Sequence, residues 1–325
     1  MKPKVYVTRV IRDKGLDLVK EFCDADIWPG NLPPSRETLL EKVRGVDGLL
    51  CLLTERIDAA VLEAAGPQLK VVSNHAVGFD NIVVADATAR GIPVGNTPGI
   101  LTDATADFAF TLLLGAARRL IEADRYLRSG KWGTWGPSTL LGSDMVGKTL
   151  GLVGFGRIGQ AVAKRAKGFD MRVIYFDPGA IPAPELNVTP ADSLDSLLNK
   201  ADFVSLHTPL TPETRHMVNT DFLSKMKPTA VLVNTSRGGV VDQEALYTAL
   251  KEKKIFAAAL DVTDPEPLPL DNPLLTLENC LIAPHIASAS TYSRDMMAYL
   301  AAQNLIAGLK GERLPHCINP EVYDR

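Results

Sequence analysis

Three polar side chains in the second half of the chain have the chemistry to protonate and polarise a carbonyl group. Arg237 follows the apolar run AVLVNTS, Glu266 follows FAAALDVTDP, and His285 follows NCLIAP. An imidazole exchanges a proton near neutral pH, and a guanidinium binds two oxygen atoms in a planar fork. A carboxylate beside the far nitrogen of the imidazole would orient the ring and favour its charged form. These residue types therefore predict a proton donor, its orienting acid and an oxyanion-binding cation.

Each of the three residues also has an ordinary structural interpretation. An arginine after a strand is often a surface residue, an acid in a proline-rich loop is often solvated, and a histidine in an apolar run is usually part of a core. Their placement favours the functional interpretation, because each residue follows a predicted strand. The carboxyl ends of parallel strands meet at the edge of a sheet where ligands bind. We therefore expect the three side chains to converge on one cleft.

Short apolar segments alternate with helical segments twice along the chain, first over about the first hundred residues and again from Lys148 onward. This alternation predicts an α/β fold with two parallel sheets, each covered by helices on both faces. The second series contains about six strands, the number in a doubly wound dinucleotide-binding fold. In the first series, the helix after GLLCLL is predicted to have Asp58 as its N-cap and to stop at Gly66.

A long helical pattern and an irregular arm separate the two series. The pattern extends from Asp103 to Gly130 and is apolar on most sides in its first half, so we expect one helix buried between domains or subunits. The glycine-rich segment after it contains Trp132 and Trp135 and is predicted to lie as an arm over a surface. A last helix, near residues 290–309, would lead the chain back to the first series.

The segment TLGLVGFGRIGQAVAKRAKGF has the pattern of a phosphate-binding turn between a strand and a helix. Gly154 would permit the tight turn, Gly156 would let a pyrophosphate approach the backbone, and Gly159 would let helix and strand pack closely. The following strand, MRVIYFD, ends in Asp177, where a carboxylate can accept hydrogen bonds from the ribose hydroxyls of an adenosine. Glycines also mark ordinary turns, but strand, helix and acid together predict a dinucleotide site.

Composition excludes several other classes of function. The 325 residues have a formal net charge of -3, which gives no reason to expect a nucleic acid or an anionic membrane as partner. No apolar run is long enough to span a bilayer, and the start of the chain has no signal-peptide pattern, so we expect a cytoplasmic protein. The four cysteines form no CxxC pair, which predicts reduced thiols and no metal site.

Four motifs, VGFGRIG, NTSRGGVVD, ALDVTDPEPLP and APHIAS, resemble those of the D-isomer-specific 2-hydroxyacid dehydrogenase family. The resemblance covers essentially the whole chain. It implies a flavodoxin-like substrate domain of residues 1–100 plus 287–325 and a central Rossmann dinucleotide-binding domain of residues 101–286. It also implies that His285 donates the proton, that Glu266 orients it, and that Arg237 binds the carboxylate and carbonyl of a small 2-keto acid.

The resemblance implies further contacts with the cofactor and the substrate. Residues expected to contact the cofactor are Thr105, Gly154, Gly156, Arg157, Ile158, Gly159, Asp177, Thr208, Pro209, Thr235, Ser236, Arg237, Asp261, His285 and Ala287. Residues expected to contact the substrate are Leu53, Ala76, Val77, Gly78, Trp135, Arg237 and Ser288. The tryptophan would reach the pocket of the partner subunit in a homodimer, and Trp132 is close enough to be the alternative.

Within the family, the stretch from Ser73 to Leu114 is most similar to glyoxylate/hydroxypyruvate reductases. Many of these use NADPH, whereas Asp177 would repel a 2′-phosphate, so we expect NAD(H) to be preferred and NADP(H) to remain usable. The alternatives are another D-2-hydroxyacid dehydrogenase, a phosphite-type dehydrogenase, or an NAD-sensing protein similar to the family's transcriptional corepressors. Among the other histidines, His75 is a candidate substrate contact, and His207 is expected to line the cofactor site without acting in catalysis.

Overall fold

The chain forms two compact α/β units in the computed structural model, which describes residues 1–180 and 183–324. The terminal unit consists of Met1–Leu101 and Ala289–Arg325, and the central unit consists of Thr102–Ser288. Each unit has its own parallel sheet, which confirms the predicted fold class. The assignment of one unit to the substrate and the other to the nucleotide stays a prediction.

The sheet of the terminal unit has five described strands in the order β2-β1-β3-β4-β5. They are β1 (Lys4–Val7), β2 (Asp24–Ile27), β3 (Gly48–Cys51), β4 (Val71–Asn74) and β5 (Val94–Gly95). Every residue of β3 and β4 is buried, because helices cover both faces of the sheet. The strand order reverses between β1 and β3, and open parallel sheets bind ligands beyond the carboxyl ends of the strands at such a switch point.

The sheet of the central unit has seven described strands in the order β12-β11-β10-β9-β6-β7-β8. They are β6 (Thr149–Val153), β7 (Arg172–Phe176), β8 (Thr189–Pro190), β9 (Phe203–Leu206), β10 (Val231–Asn234), β11 (Ala257–Leu260) and β12 (Cys280–Ile282). This is the order of a dinucleotide-binding fold, with its switch point between β6 and β9. The strand beyond the predicted six is β8, a two-residue edge strand that includes a proline and is too short for a visible hydrophobic pattern.

Helices cover both sheets. They are α1 (Asp13–Phe22), α2 (Arg36–Lys42), α3 (Ala59–Ala65), α4 (Val84–Ala89), α5 (Thr102–Ala117), α6 (Leu120–Arg128), α7 (Arg157–Ala166), α8 (Leu194–Lys200), α9 (Thr220–Lys225), α10 (Gln243–Lys251) and α11 (Thr291–Lys310). As predicted, Asp58 caps α3 by accepting from Val61 N, and Gly66 ends it at a φ of 94°. The last helix, α11, packs on β3, β4 and α1 of the terminal unit, also as predicted. In the described part of the chain, no helix is both long enough and apolar enough to cross a bilayer.

The prediction of one helix from Asp103 to Gly130 was wrong. The chain breaks between α5 and α6 at Arg119, whose φ of 53° is left-handed, and the Arg119 guanidinium donates two hydrogen bonds to Glu122, at 2.7 and 2.6 Å. Nine residues of α5 are buried in the core of the central unit, whereas no residue of α6 is buried. The helical pattern therefore continues across a point where the chain leaves the core and changes direction.

Candidate active site

The glycine turn after β6 has the shape of a phosphate cradle. Gly154 has a φ of 92°, and a Cβ there would lie 2.7 Å from the carbonyl of His207. A Cβ on Gly159 would lie 2.4 Å from the carbonyl oxygen of Gly154, so helix α7 could not pack as closely. At Gly156 a Cβ would meet no atom within 4 Å, which leaves open space beside the N-terminus of α7. Close packing on one side and open space on the other fit the pyrophosphate of a dinucleotide.

Asp177 lies at this cradle, directly after β7. Its Oδ2 accepts a hydrogen bond from Phe155 N at 2.8 Å, and its Oδ1 accepts one from Gly179 N, also at 2.8 Å. The carboxylate thus joins the glycine turn to the turn that follows β7. Each carboxylate oxygen can accept a second hydrogen bond, so Asp177 can still receive the hydroxyls of a ribose.

Two buried hydroxyl groups also fit a bound cofactor. Thr208 follows β9 and Thr235 follows β10, and neither Oγ1 has a hydrogen-bond partner among the described residues. Because buried polar groups are nearly always hydrogen-bonded in folded proteins, such hydroxyls are groups that a ligand would satisfy. Of the other predicted cofactor residues, Arg157 and Ile158 lie in the first turn of α7, and Thr105 is buried on α5.

The three candidate catalytic residues follow the neighbouring strands β10, β11 and β12 of the central sheet. His285 Nδ1 lies 2.5 Å from Glu266 Oε1, which is the contact expected from the sequence. His285 has a φ of 55°, a left-handed conformation that costs a residue other than glycine about 1–3 kcal/mol. Arg237 donates from Nη1 to the carbonyl of Ser236 at 2.9 Å. The strain and the contact with Glu266 together make His285 a candidate catalytic group.

Asp261 holds the loop that carries His285. Its carboxylate accepts hydrogen bonds from Ile286 N at 2.8 Å and Ala287 N at 2.7 Å, and its backbone carbonyl accepts from His285 N at 2.8 Å. Burial raises the pKa of the Asp261 carboxyl above its ordinary value, while the two backbone donors and the nearby His285 oppose that rise. Three hydrogen bonds on consecutive residues stabilise the left-handed conformation. The sequence predicted Asp261 only as a cofactor contact and did not reveal this role.

Asn234, which sequence reasoning missed, shapes the loop that carries Arg237. Its Oδ1 accepts from Ser236 N at 2.9 Å and from Ser236 Oγ at 2.8 Å, while its Nδ2 donates to the Arg237 carbonyl at 2.9 Å. A Cβ on Gly238 would lie 1.9 Å from the Thr263 carbonyl oxygen, so glycine is required there. The signal available in the sequence was an asparagine at the end of the apolar run AVLVN, because an amide buried there would need partners, although the run does not say which.

In the terminal unit, the predicted carboxylate loop follows β4. The carbonyls of Ala76, Val77 and Gly78 accept hydrogen bonds from Thr97 N at 2.9 Å, Asn96 Nδ2 at 2.8 Å and Asn74 Nδ2 at 3.0 Å. Because the carbonyls are held from within the unit, the N–H groups are what this loop can offer an anion. Leu53 lies after β3 and is partly exposed.

Comparison with known proteins identifies the family. The sequence model of one protein family, the D-isomer specific 2-hydroxyacid dehydrogenase NAD binding domain, matches residues 110–287. A glyoxylate reductase from Korarchaeum cryptofilum is 55% identical over 325 residues, covering 99% of this chain and 97% of the relative. The chain belongs to the D-isomer specific 2-hydroxyacid dehydrogenase family. It is an NAD(P)-dependent dehydrogenase, and it binds a nicotinamide cofactor.

Solved structures agree with this assignment of the dehydrogenase. A protein from Thermus thermophilus has a TM-score of 0.92 and 47% identity, covering 97% of this chain and 99% of that one. An NADPH-dependent glyoxylate/hydroxypyruvate reductase from Sinorhizobium meliloti has a TM-score of 0.83 and 33% identity, covering 98% of both chains. The family therefore accounts for the fold over nearly the whole length.

Two further histidines of this dehydrogenase are unsuited to donate a proton at neutral pH. Burial lowers the pKa of His207 to about 4, and its Nε2 lies 2.9 Å from Ser205 Oγ. Burial, together with the charge of Arg294, lowers the pKa of His75 to about 4. Both rings are therefore neutral near pH 7, and His285 remains the candidate proton donor.

The remaining residues predicted to contact the substrate, Ser288 and Trp135 or its alternative Trp132, differ in how far they are exposed to solvent. Ser288 is partly exposed, three residues after His285 in the loop held by Asp261. Trp135 is 79% exposed and Trp132 is 58% exposed, so each has a large apolar surface in contact with solvent in the single chain. Among the described residues, no group of three His, Cys, Asp or Glu side chains is arranged to hold a metal ion.

Proposed function

We propose that this dehydrogenase reduces glyoxylate or hydroxypyruvate to the corresponding D-2-hydroxy acid with NAD(P)H. The observation that carries the proposal is the 2.5 Å contact between His285 and Glu266 in the same unit as the dinucleotide cradle. Relatives from Korarchaeum cryptofilum and Thermococcus kodakarensis, both named glyoxylate reductase and 55% and 52% identical, support the choice of substrate class.

Each residue has a distinct task in the proposed reaction. When bound, the reduced nicotinamide would supply the hydride that the carbonyl carbon needs. Arg237 binds the carboxylate and polarises the carbonyl oxygen. His285 donates its Nε2 proton to that oxygen, and Glu266 accepts a hydrogen bond from Nδ1 and so orients the ring. The proton on Nε2 is then restored from solvent.

The N–H groups of Ala76, Val77 and Gly78 are proposed to bind the substrate carboxylate. Leu53 is proposed to line the part of the substrate pocket that accommodates the rest of a small keto acid. Ser288, three residues after His285, is proposed to contact the substrate as well. Ala76 is buried while Val77 and Gly78 are partly exposed. A loop of backbone donors suits a small anion, because it adds no side chain to the space that the substrate needs.

NADH is the proposed preferred cofactor. Asp177 lies at the cradle with both carboxylate oxygens oriented by backbone donors, and an anion there favours two ribose hydroxyls over a 2′-phosphate. The relative from Sinorhizobium meliloti is named as NADPH-dependent. The choice between NADH and NADPH can therefore differ between members of this family. NADP(H) remains a usable, weaker cofactor in this proposal.

A homodimer is the proposed assembly. Several large apolar residues of α6 and of the arm that follows it are exposed; they include Leu120, Ile121, Leu127, Trp132 and Trp135. Exposed large apolar side chains of this kind are suited to a protein interface. Trp135 is proposed to reach the substrate pocket of the partner subunit.

The four cysteines are free thiols, which fits the predicted cytoplasmic location.

A panel of keto acids tests the proposed function. Loss of NADH absorbance is followed with glyoxylate, hydroxypyruvate, pyruvate and larger 2-keto acids, and NAD reduction is followed with phosphite. We expect the highest kcat/KM with glyoxylate or hydroxypyruvate. Higher kcat/KM with another keto acid, or activity confined to phosphite, would assign a different dehydrogenase. NADH binding without turnover of any compound would indicate a sensor.

A further inference from the structure

A buried carboxylate lies at the switch point of the terminal sheet. Glu55 follows β3, and its side chain is only 1% exposed. The strands β1 and β3 are hydrogen-bonded neighbours, and the chain order reverses between them. Open parallel sheets bind ligands at this point. A charged group here is therefore placed to influence how the terminal unit binds its ligand.

The Glu55 carboxylate accepts four hydrogen bonds. Oε2 accepts from Thr8 Oγ1 at 2.5 Å and from Leu52 N at 2.8 Å. Oε1 accepts from Thr54 Oγ1 at 2.5 Å and from Arg9 Nη2 at 3.4 Å. An ionised carboxylate has about four acceptor sites, so this one is fully used. Its donors come from the residues after β1 and from the loop after β3.

An asparagine extends the connection to a third strand end. Asn81 Nδ2 donates to the carbonyls of Leu52 at 2.9 Å and Glu55 at 3.1 Å. Asn74 Nδ2 donates to Asn81 Oδ1 at 3.2 Å and to the Gly78 carbonyl at 3.0 Å. The loops that follow β1, β3 and β4 are therefore joined by one hydrogen-bonded network, with Glu55 as its charged centre.

We propose that Glu55 is a positioning residue that sets the affinity and selectivity for the keto acid by holding the backbone of residues 52–54. This inference rests on the proposed function. An amide in place of the carboxylate would present N–H groups to at least one of the present donors, so one hydrogen bond becomes a clash. The hydrogen bond from Leu52 N to Glu55 holds the backbone next to Leu53. If the network relaxes, Leu53, the apolar residue proposed to contact the substrate, moves with that backbone.

The test compares Glu55→Gln with Glu63→Gln. Glu63 lies on α3 in the same unit and is exposed, so its substitution makes the same charge change outside the network. In Glu55→Gln we expect KM for glyoxylate to rise about tenfold, and the ratio of kcat/KM for glyoxylate over hydroxypyruvate to change. The Kd for NADH should stay within about twofold, because the cradle belongs to the central unit. Glu63→Gln should match the unsubstituted enzyme in all three measurements.

Substitutions at Thr8 keep the test decisive if Glu55→Gln does not fold. Thr8→Val preserves shape but removes the hydroxyl donor, and Thr8→Ser restores it. We expect Thr8→Val to raise KM for the keto acid in the same direction by a smaller factor, and Thr8→Ser to return it towards the original value. Unchanged KM and selectivity in folded Glu55→Gln, or in Thr8→Val where the former does not fold, would overturn the inference. Equal losses of keto-acid and NADH affinity would assign Glu55 a general structural role.

If the unsubstituted enzyme bound NADH but reduced no keto acid, the proposed function would fail, and this inference with it. If it reduced keto acids and Glu55→Gln had unchanged KM, only this inference would fail.

Discussion

His285 Nδ1 and Glu266 Oε1 are 2.5 Å apart, although the two residues are 19 positions apart in the chain and strand β12 lies between them. The contact fixes the ring by its Nδ1 side and leaves Nε2 as the nitrogen available to a substrate. Hydrogen bonds from Ile286 N and Ala287 N to the Asp261 carboxylate hold the adjoining backbone. A proton donor with a fixed ring and a fixed backbone loses little orientation entropy when it acts.

Replacing His285 with glutamine should lower kcat by roughly 10² to 10⁴, the usual contribution of a general acid. The Kd for NADH should barely change, because the glycine turn and Asp177 are untouched. Steady-state rates with glyoxylate and a fluorescence titration with NADH measure the two quantities. Turnover close to that of the unsubstituted enzyme would return His285 to the role of a structural histidine.

Glu266→Gln should lower kcat for keto-acid reduction by about tenfold, a part of the roughly 10² to 10⁴ that a general acid contributes. The neutral amide orients the His285 ring less firmly than the carboxylate that lies 2.5 Å from its Nδ1. Steady-state rates with glyoxylate at saturating NADH measure the change. Glu278→Gln, at an exposed acid in the same unit, is the control. A kcat equal to that of the unsubstituted enzyme would separate Glu266 from the proton transfer.

Asp177→Ser should narrow the preference for NADH. We expect the unsubstituted enzyme to favour NADH by about tenfold or more in kcat/KM, since about 1.4 kcal/mol corresponds to tenfold. Serine removes both the acceptors of the ribose hydroxyls and the repulsion of a 2′-phosphate. Asp192→Ser, at an exposed position of the same unit, provides the control. Equal or better kcat/KM with NADPH in the unsubstituted enzyme would contradict our assignment of Asp177, and exposed Arg157 would be the first residue to test as the phosphate partner.

The unsubstituted enzyme should sediment as a dimer, and Trp135→Ala should alter the discrimination between glyoxylate and larger keto acids. Trp132→Ala is the matched control, because it removes a similar exposed ring from the same arm. Sedimentation velocity at assay concentration reports the assembly, and kcat/KM ratios report the discrimination. A fully active monomer would contradict both proposals. A change in Trp132→Ala alone would transfer the pocket-closing role to that residue.

Acid should destabilise the protein partly through His75. Its pKa in the folded protein is about 4, against about 6.5 in an unfolded chain, so the unfolded state binds the extra proton between these values. The associated stability is present above about pH 6.5 and is lost as pH falls towards 4. Between pH 7 and pH 5 the loss is about 2 kcal/mol. Urea titrations at the two pH values measure the free energy of unfolding. Between pH 7 and pH 5 this free energy should fall less in His75→Gln than in the unsubstituted protein, by about that amount. Exposed His216→Gln should show the same fall as the unsubstituted protein.

Features that depend on neighbours in sequence were predictable. The glycine turn, Asp177 at the end of the next strand, and the start and end of α3 follow from local preferences of the backbone. The placement of Arg237, Glu266 and His285 at one edge followed from a topological rule, because each comes after a parallel strand. The extent of the helix after Asp103 was not predictable, since its break at Arg119 reflects where the chain leaves the core.

The amino-acid sequence by itself determined the family, the fold class, the dinucleotide turn and the types of side chain available for carbonyl reduction. Only the tertiary structure decided what holds those side chains in place. Asp261 contacts the loop after His285, Asn234 contacts the loop before Arg237, and Glu55 joins the ends of β1 and β3. Such partnerships depend on strand register and on which buried polar groups find donors within about 3 Å. No local pattern encodes them, because each is selected by the cost of leaving a buried polar group without a partner.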